Sequence, residues 1–179
     1  MCIAGQVLAF SLCFLGLDIG DVRMIEVTIP DFGTLQIEHL VLDYNGTLAC
    51  DGRLLPGVSA LLDRLSVYLR IHILTADTFG SVKKTFAESR HIVSVLPSGN
   101  EAEEKAGYVR KLGSRSTVCI GNGRNDRLML KEAVLGIAVI QKEGSGLEAL
   151  LNADIVIPDI LAALELLLHP QRLIATLRC

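Results

Sequence analysis

The run Asp43-Tyr44-Asn45-Gly46-Thr47 combines a carboxylate, a glycine and a hydroxyl group within five residues. A carboxylate at the end of a strand can act as a nucleophile or bind a metal ion. Gly46 permits the sharp backbone turn that would present the carboxylate, and Thr47 offers a hydroxyl donor to an anionic oxygen. Because such a run is also common in ordinary turns, its function depends on partners elsewhere in the chain.

Two further polar clusters contain groups that suit the same chemistry. Thr75 and Ala76 follow one short apolar run, and the sequence Gly121-Asn122-Gly123-Arg124-Asn125-Asp126 follows another. Two carboxylates, combined with backbone carbonyls and water, form a hard oxygen site that suits Mg²⁺ bound to a phosphate group. A nearby lysine would balance the negative charge of that group. Lys83, Lys84 and Lys105 are the candidates for this lysine.

These clusters become neighbours if the apolar runs before them form one parallel sheet. After a β-hairpin at 25–37, short buried-strand patterns alternate with amphipathic helical patterns. The predicted strands are 40–42, 71–74, 92–96, 118–120, 137–140 and 155–157, and the predicted helices are 56–65, 79–88, 102–112, 126–133, 147–151 and 160–168. This order predicts an α/β, Rossmann-like three-layer sandwich with a mainly parallel sheet. Ligands of such sheets bind at the carboxyl ends of the strands, where the polar clusters lie.

The connections between these elements are short, which predicts a single domain over residues 24–179. The segments between Asp43, Thr75 and Lys105 have no room for a sizeable cap domain. An uncapped site is open, and it favours a phosphorylated substrate that is bulky or protein-borne. Closure of the site by a second subunit in a homo-oligomer and a small metabolite as the substrate are the alternatives.

The composition excludes several classes of function. Half of the 179 residues are hydrophobic, only 4% are aromatic, and the formal net charge is −3. This charge, without a basic stripe, argues against a nucleic-acid partner. The five cysteines are scattered, which argues against a disulfide framework or a zinc site and favours a reducing, cytoplasmic location.

Residues 1–23 form an N-terminal extension of uncertain status. The stretch from Cys2 to Leu17 is apolar but short for a transmembrane helix, and no transmembrane domain is predicted. It also lacks the positively charged start of a secretory signal. An extra helix, a membrane-associating segment and an upstream extension of the reading frame all fit the stretch. We favour the extension, with Met24 as the working start, because regular patterning begins at Ile25.

Taken in order, these motifs resemble those of the haloacid dehalogenase (HAD) superfamily. The run from Leu42 to Leu48 resembles its nucleophile motif, Asp-x-Asp-Gly-Thr, and Thr75 and Lys105 match its second and third motifs. Residues 121–126 resemble the acidic fourth motif. The similarity is closer to the phosphorylation domain of P-type ATPases, whose motifs read Asp-Lys-Thr-Gly-Thr and Gly-Asp-Gly-x-Asn-Asp. Soluble P-type-ATPase-like HAD phosphatases are the nearest group by this resemblance.

The resemblance implies a role for each matched residue. Asp43 would attack phosphorus and form an aspartyl-phosphate, with Asn45, Thr75 and Lys105 completing the catalytic set. The cofactor would be Mg²⁺. The implied metal-binding residues are Asp43, Asn45 through its backbone carbonyl, Asn122 and Asp126. The implied phosphate-binding residues are Gly46, Thr47, Thr75, Ala76, Lys105 and Asn125.

Asn45 is the main departure from the family pattern. Typical HAD phosphatases carry an aspartate there, which protonates the leaving group and then activates water, whereas an amide can do neither. We therefore expect an enzyme that forms the aspartyl-phosphate but hydrolyses it slowly. A non-catalytic or regulatory binding module is the alternative. A CheY-like phospho-acceptor is a third interpretation, which the 121–126 cluster fits poorly.

Overall fold

A computed structural model describes residues 24–76 and 81–178 of the chain. The predicted N-terminal extension, residues 1–23, lies outside the described residues. The strands are β1 Ile25–Ile29, β2 Gly33–Ile37, β3 His39–Asp43, β4 Ala49–Cys50, β5 Arg53–Leu54, β6 Arg70–Thr75, β7 Ile92–Val95, β8 Thr117–Gly121, β9 Leu135–Val139 and β10 Ile155–Ile157. The helices are α1 Val58–Leu65, α2 Ser81–Thr85, α3 Glu101–Leu112, α4 Arg127–Glu132, α5 Leu147–Leu151, α6 Ile160–Leu168 and α7 Pro170–Leu177, with 3₁₀ turns at Ser114–Ser116 and Arg124–Asp126.

Six parallel strands form the central sheet, in the order β10-β9-β8-β3-β6-β7. The strand β3 lies inside this sheet and is buried along its whole length, as its continuous apolar sequence predicts. From β3 the chain winds outward to β6 and β7 on one side and then to β8, β9 and β10 on the other. The gap between β3 and β8 is therefore a topological switch point, where ligands of open α/β sheets bind.

Helices cover both faces of the sheet, which confirms the predicted three-layer α/β fold. Leu40 and Leu42 of β3 belong to one apolar core, which includes the buried face of α1 and most of α6. Val41 points to the opposite face and joins a second core with Val109 of α3 and Met129 of α4. This alternation along β3 follows from the two-residue period of a strand.

Several elements differ from the sequence-based expectation. The helix predicted at 79–88 is described only as α2, and it is followed by a turn in which the Ser89 hydroxyl and N–H donate to the Phe86 carbonyl. The hairpin β4–β5 and the helix α7 were not predicted. Between β3 and α1 the chain holds only this small hairpin, which agrees with the expected lack of a sizeable cap.

The described helices are all shorter than a segment that spans a bilayer. None of them alone, within residues 24–76 and 81–178, has the length and hydropathy of a membrane-spanning helix. The pair α6 and α7 reaches both only in combination, and it bends by 103° between the two helices.

A buried polar chain crosses the amino end of the sheet. His39 Nδ1 lies 3.0 Å from His72 Nε2, and His72 Nδ1 lies 3.0 Å from the hydroxyl of Tyr108 on α3. Burial, together with His39 and Arg70, lowers the pKa of His72 from 6.5 to about 4. The unfolded chain therefore takes up a proton near pH 6.5, whereas the folded protein does so only near pH 4. The stabilisation from neutral His72 is complete above pH 6.5 and is lost as the pH falls towards 4.

We expect His72→Gln to make the free energy of unfolding less sensitive to acid. Between pH 7 and pH 5 the parent should lose roughly 1–2 kcal/mol more than the variant, because only the parent has this buried imidazole to protonate. Urea denaturation at the two pH values measures the difference. The exposed His169→Gln is the matched control. Equal losses in parent and His72→Gln would contradict the expectation.

Candidate active site

The predicted polar clusters meet at the carboxyl edge of the sheet, beside the switch point. Asp43 is the last residue of β3 and pairs with Leu74 of β6, so that Thr75 lies at the neighbouring strand end. Gly121 ends β8 on the other side of β3, and the turn that follows it carries Asp126. Parallel pairing of three strands thus places residues that are distant in sequence around one point.

Lys105 joins the two carboxylates of this site. Its Nζ donates hydrogen bonds of 2.6 Å to Asp43 Oδ1 and of 2.6 Å to Asp126 Oδ1. The side chains of Lys105 and Asp126 are 2% and 0% exposed, and that of Asp43 is 10% exposed. The exposed Lys83 and Lys84 of α2 are not part of this contact. Of the three candidate lysines, Lys105 is therefore the one that pairs with Asp43.

The electrostatics of these three residues depend on their burial. Burial raises the pKa of Asp43 to about 7, with a further contribution from the negative charge of Asp126, while Lys105 opposes the rise. Burial alone would lower the pKa of Lys105, but the two carboxylates raise it above its ordinary value. The ammonium group thus stays charged and holds Asp43 against the repulsion of Asp126.

Asp126 is fixed by the turn that precedes it. Its Oδ2 accepts hydrogen bonds from the backbone N–H groups of Asn122, at 3.0 Å, and Gly123, at 2.8 Å. A Cβ atom at Gly121 would lie 2.5 Å from the Asp126 side chain, so only glycine leaves room for the carboxylate at the end of β8. The glycines of this motif thus permit close approach of a carboxylate to the backbone.

Thr47 and Asn122 contact each other across the site. The Thr47 hydroxyl donates to Asn122 Oδ1 at 3.2 Å, and Asn122 Nδ2 donates to the Gly144 carbonyl at 3.0 Å. Gly46 has a positive φ of 77°, and a Cβ there would lie 2.4 Å from the Asn122 amide. Both polar groups that were predicted to bind phosphate or metal are therefore already hydrogen-bonded within the protein.

The remaining predicted residues lie around this centre. Thr75 is buried, whereas Asn45 and Ala76 are exposed at the strand ends. Asn125 donates from Nδ2 to Glu101 Oε2 at 2.8 Å, a partner that the sequence motifs did not indicate. The structure thus joins Asp43, Lys105 and Asp126 by direct hydrogen bonds, and of the other predicted residues Asn45 and Ala76 are exposed.

Gln141 is a second residue that motif analysis missed. Its side chain donates to the carbonyls of Gly46 and Thr47, in the turn that follows Asp43. The signal in the sequence was its place directly after a predicted strand, at the same edge of the sheet as the other polar clusters.

The side chains present fit a hard divalent cation. Asp43 and Asp126 place two carboxyl groups in a buried site, on either side of the positive charge of Lys105. Their oxygens match the ligand preference of Mg²⁺. A bound cation and a phosphate group would complete the charge balance of this edge.

Comparisons with known proteins relate this geometry to other chains. No family model matches the sequence. An uncharacterized protein of Methanocaldococcus jannaschii is 51% identical over 65 residues, which are 36% of this chain and 70% of that protein. The phospholipid-transporting ATPase NEO1 of Saccharomyces cerevisiae is 27% identical over 150 residues, which are 82% of this chain but only 11% of the ATPase.

Several solved structures share the fold of most of this chain. A protein of Legionella pneumophila described as a subfamily III A HAD hydrolase has a TM-score of 0.64 at 17% identity, over 79% of this chain and 87% of that one. The 3-deoxy-D-manno-octulosonate 8-phosphate phosphatase of Moraxella catarrhalis, solved with magnesium and phosphate ions, has a TM-score of 0.59 at 18% identity, over 79% and 94% of the two chains. This chain therefore has the fold of these HAD hydrolases and phosphatases.

Proposed function

We propose that this protein is a Mg²⁺-dependent phosphohydrolase or phosphotransferase that acts through an aspartyl-phosphate at Asp43. The observation that carries the proposal is the buried bridge from Lys105 to Asp43 and Asp126. Such a bridge orients a carboxylate at the end of a strand and supplies positive charge where a phosphoryl group would be transferred. The similarity to part of a P-type ATPase supports the same chemistry.

The first step uses Asp43 as the nucleophile. One carboxylate oxygen of Asp43 forms a bond to phosphorus, and the bond from phosphorus to the leaving oxygen breaks, with its electron pair remaining on that oxygen. Lys105 and Thr75 stabilise the oxygens of the phosphoryl group during the transfer. Backbone and side-chain groups of the surrounding turns are proposed to bind the same oxygens, at Gly46, Thr47, Ala76 and Asn125.

Hydrolysis then needs a water molecule to attack the phosphorus of the aspartyl-phosphate. Inorganic phosphate leaves, and the Asp43 carboxylate is restored. Asn45 has no carboxylate with which to take the proton from this water, so we propose that the second step is slow. A bound Mg²⁺ would neutralise part of the phosphoryl charge, held by Asp43, Asp126 and the Asn45 carbonyl, with Asn122 beside them.

Within residues 24–76 and 81–178, only the small hairpin after β3 lies where a cap domain could be inserted, so we propose a phosphorylated substrate that is bulky or protein-borne. Closure of the site by a second copy of the chain is the alternative. A cytoplasmic location belongs to the same proposal, and it is supported by Cys50 and Cys119, which are both free thiols.

The test is to trap the phosphorylated protein. The full chain is incubated with Mg²⁺ and labelled acetyl phosphate or ATP, quenched in acid, and analysed by mass spectrometry. We expect a hydroxylamine-sensitive phosphoryl group on the peptide that contains Asp43. Asp43→Asn should carry no label, whereas Asp31→Asn, in the exposed turn of the β1–β2 hairpin, should be labelled like the parent.

Two outcomes would change the proposal. Turnover of phosphate esters that persists in Asp43→Asn would exclude Asp43 as the nucleophile. Beryllofluoride binding at Asp43 without labelling or turnover would favour the regulatory module instead. The observation behind this second candidate function is Asn45 itself, which cannot transfer a proton.

A further inference from the structure

The Gln141 side chain makes three hydrogen bonds that link separate parts of the site. Its Nε2 donates to the carbonyls of Gly46, at 2.9 Å, and Thr47, at 2.5 Å. Its Oε1 accepts from the backbone N–H of Ile160, at the start of α6, at 3.2 Å. One amide therefore connects the turn after the nucleophile with the loop after β9 and with a core helix.

The Gln141 amide holds the outer side of the Gly46–Thr47 turn, where the two carbonyls point. Its inner side is held by the Tyr44 carbonyl, which accepts from the N–H groups of Thr47, Leu48 and Ala49 at 2.8–3.3 Å. The carbonyls of Gly46 and Thr47 instead meet Gln141. Because peptide groups are planar, fixing these two carbonyls also orients the N–H groups of Thr47 and Leu48 in the same peptide units, and both donate to the carbonyl of Tyr44, the residue after Asp43.

Gln141 also closes a ring of hydrogen bonds across three strand ends. The Gly144 N–H donates to the Gln141 carbonyl at 2.8 Å, and the Gly144 carbonyl accepts from Asn122. Asn122 accepts from Thr47, whose own carbonyl accepts from Gln141. The Asn122 amide donates to one partner and accepts from another, and the Gln141 amide donates to two carbonyls and accepts from Ile160, whereas a carboxylate cannot donate. The ring therefore also accounts for an amide, rather than an acid, at position 122.

We infer that Gln141 is a positioning residue for phosphoryl transfer, which holds the Gly46–Thr47 turn and thereby fixes Asp43 and the Asn45 carbonyl. The catalytic part of this inference rests on the proposed function. A displacement of about 1 Å at a reacting group can lower a rate by about 10²-fold, so loss of the clamp should act on the transfer step. The nucleophile itself remains intact.

Two variants of Gln141 separate the clamp from other effects. Gln141→Glu keeps the size of the side chain and its bond from the Ile160 N–H but cannot donate to the two carbonyls. Gln141→Met keeps most of the volume without polar groups or charge. Gln171→Glu, on the exposed side of α7, adds the same charge away from the site and is the matched control.

We expect both Gln141 variants to lower kcat by about 10- to 100-fold, with KM changed by less than about twofold. Amide hydrogen exchange of the segment Gly46–Ala49 should become about tenfold faster or more in both variants, because two hydrogen bonds of the turn are lost. Gln171→Glu should behave like the parent in both measurements. A general loss of stability would instead speed exchange in many parts of the protein. Faster exchange that is confined to Gly46–Ala49 therefore reports a local effect.

The exchange measurement keeps the inference testable whatever the activity. Unchanged exchange in Gln141→Met would overturn the inference even if the parent has no turnover. If the parent has no turnover but exchange is faster in the Gln141 variants, the result supports the role of Gln141 in holding the turn and counts against the proposed function. If the parent is active and Gln141→Met has the same kcat, Gln141 is not a positioning residue for catalysis. The same conclusion follows if only Gln141→Glu loses kcat, because the added negative charge would then explain the loss.

Discussion

Replacing Asn45 with aspartate is expected to increase the turnover of alkyl phosphate esters by about 10²–10⁴-fold, the usual contribution of general acid–base catalysis. An alkoxide leaving group needs a proton, which the Asn45 amide cannot supply. The Lys105 ammonium, which contacts Asp43, is held by two carboxylates that raise its pKa.

The measurement is kcat over a series of phosphate esters whose leaving groups differ in pKa. The parent should depend steeply on the leaving group, with aryl and acyl phosphates favoured because their leaving groups depart without protonation. Asn45→Asp should flatten this dependence, since its carboxylic acid supplies the proton. It should also shorten the lifetime of the phosphorylated protein, because its carboxylate can then activate water.

The control for the added charge is Asn152→Asp, in the turn after α5. It should leave both the rate and the dependence on the leaving group unchanged. If Asn45→Asp is no faster than the parent and keeps the steep dependence, an amide at position 45 does not limit turnover.

Lys105→Met is expected to lower the free energy of unfolding by about 3–5 kcal/mol and to abolish phosphoryl transfer. Removing one member of a buried ionic network leaves the remaining charges without compensation. Asp43 and Asp126 would then face each other in a buried site, although they now share one ammonium group. Lys111→Met, on the exposed end of α3, should cost less than about 0.5 kcal/mol.

Urea denaturation with and without Mg²⁺ measures this effect. A divalent cation can take over part of the lost charge, so Mg²⁺ should raise the stability of Lys105→Met more than that of the parent. Activity should not return, because the ammonium group that we propose to contact the phosphoryl oxygens is still missing. A variant as stable as Lys111→Met, with or without Mg²⁺, would show that the bridge does not stabilise the fold.

The sheet and the convergence of its polar ends could be predicted because both follow from local patterns. The strand β3 is a continuous apolar run that ends in a carboxylate, and parallel strands must bring their ends together. The burial of Lys105 also has a local signal, because this lysine lies on the same face of α3 as Ala102, Ala106 and Val109. A charged residue in an apolar stripe indicates a buried partner.

Other features depend on contacts that no local pattern specifies. Gln141 donates to backbone carbonyls more than ninety positions away in the chain, and its place after a strand indicates the edge of the sheet but not these partners. The bond from Asn125 to Glu101 depends on how α3 packs beside the turn at the end of β8. The helix α2 is short because a serine turn replaces its last residues, which helical propensity alone does not anticipate.

Asp43 and Asn45 differ in how far a substitution would disturb the fold, because Asp43 lies at the end of a strand that is paired on both sides. Asp43 belongs to a backbone that is bonded to β6 and lies beside β8, where changes disturb the core. Asn45, only two residues further on, is exposed, and exposed substitutions usually change stability by less than about 0.5 kcal/mol. The lifetime of the proposed aspartyl-phosphate could therefore be adjusted in evolution at a position that contributes little to the stability of the core.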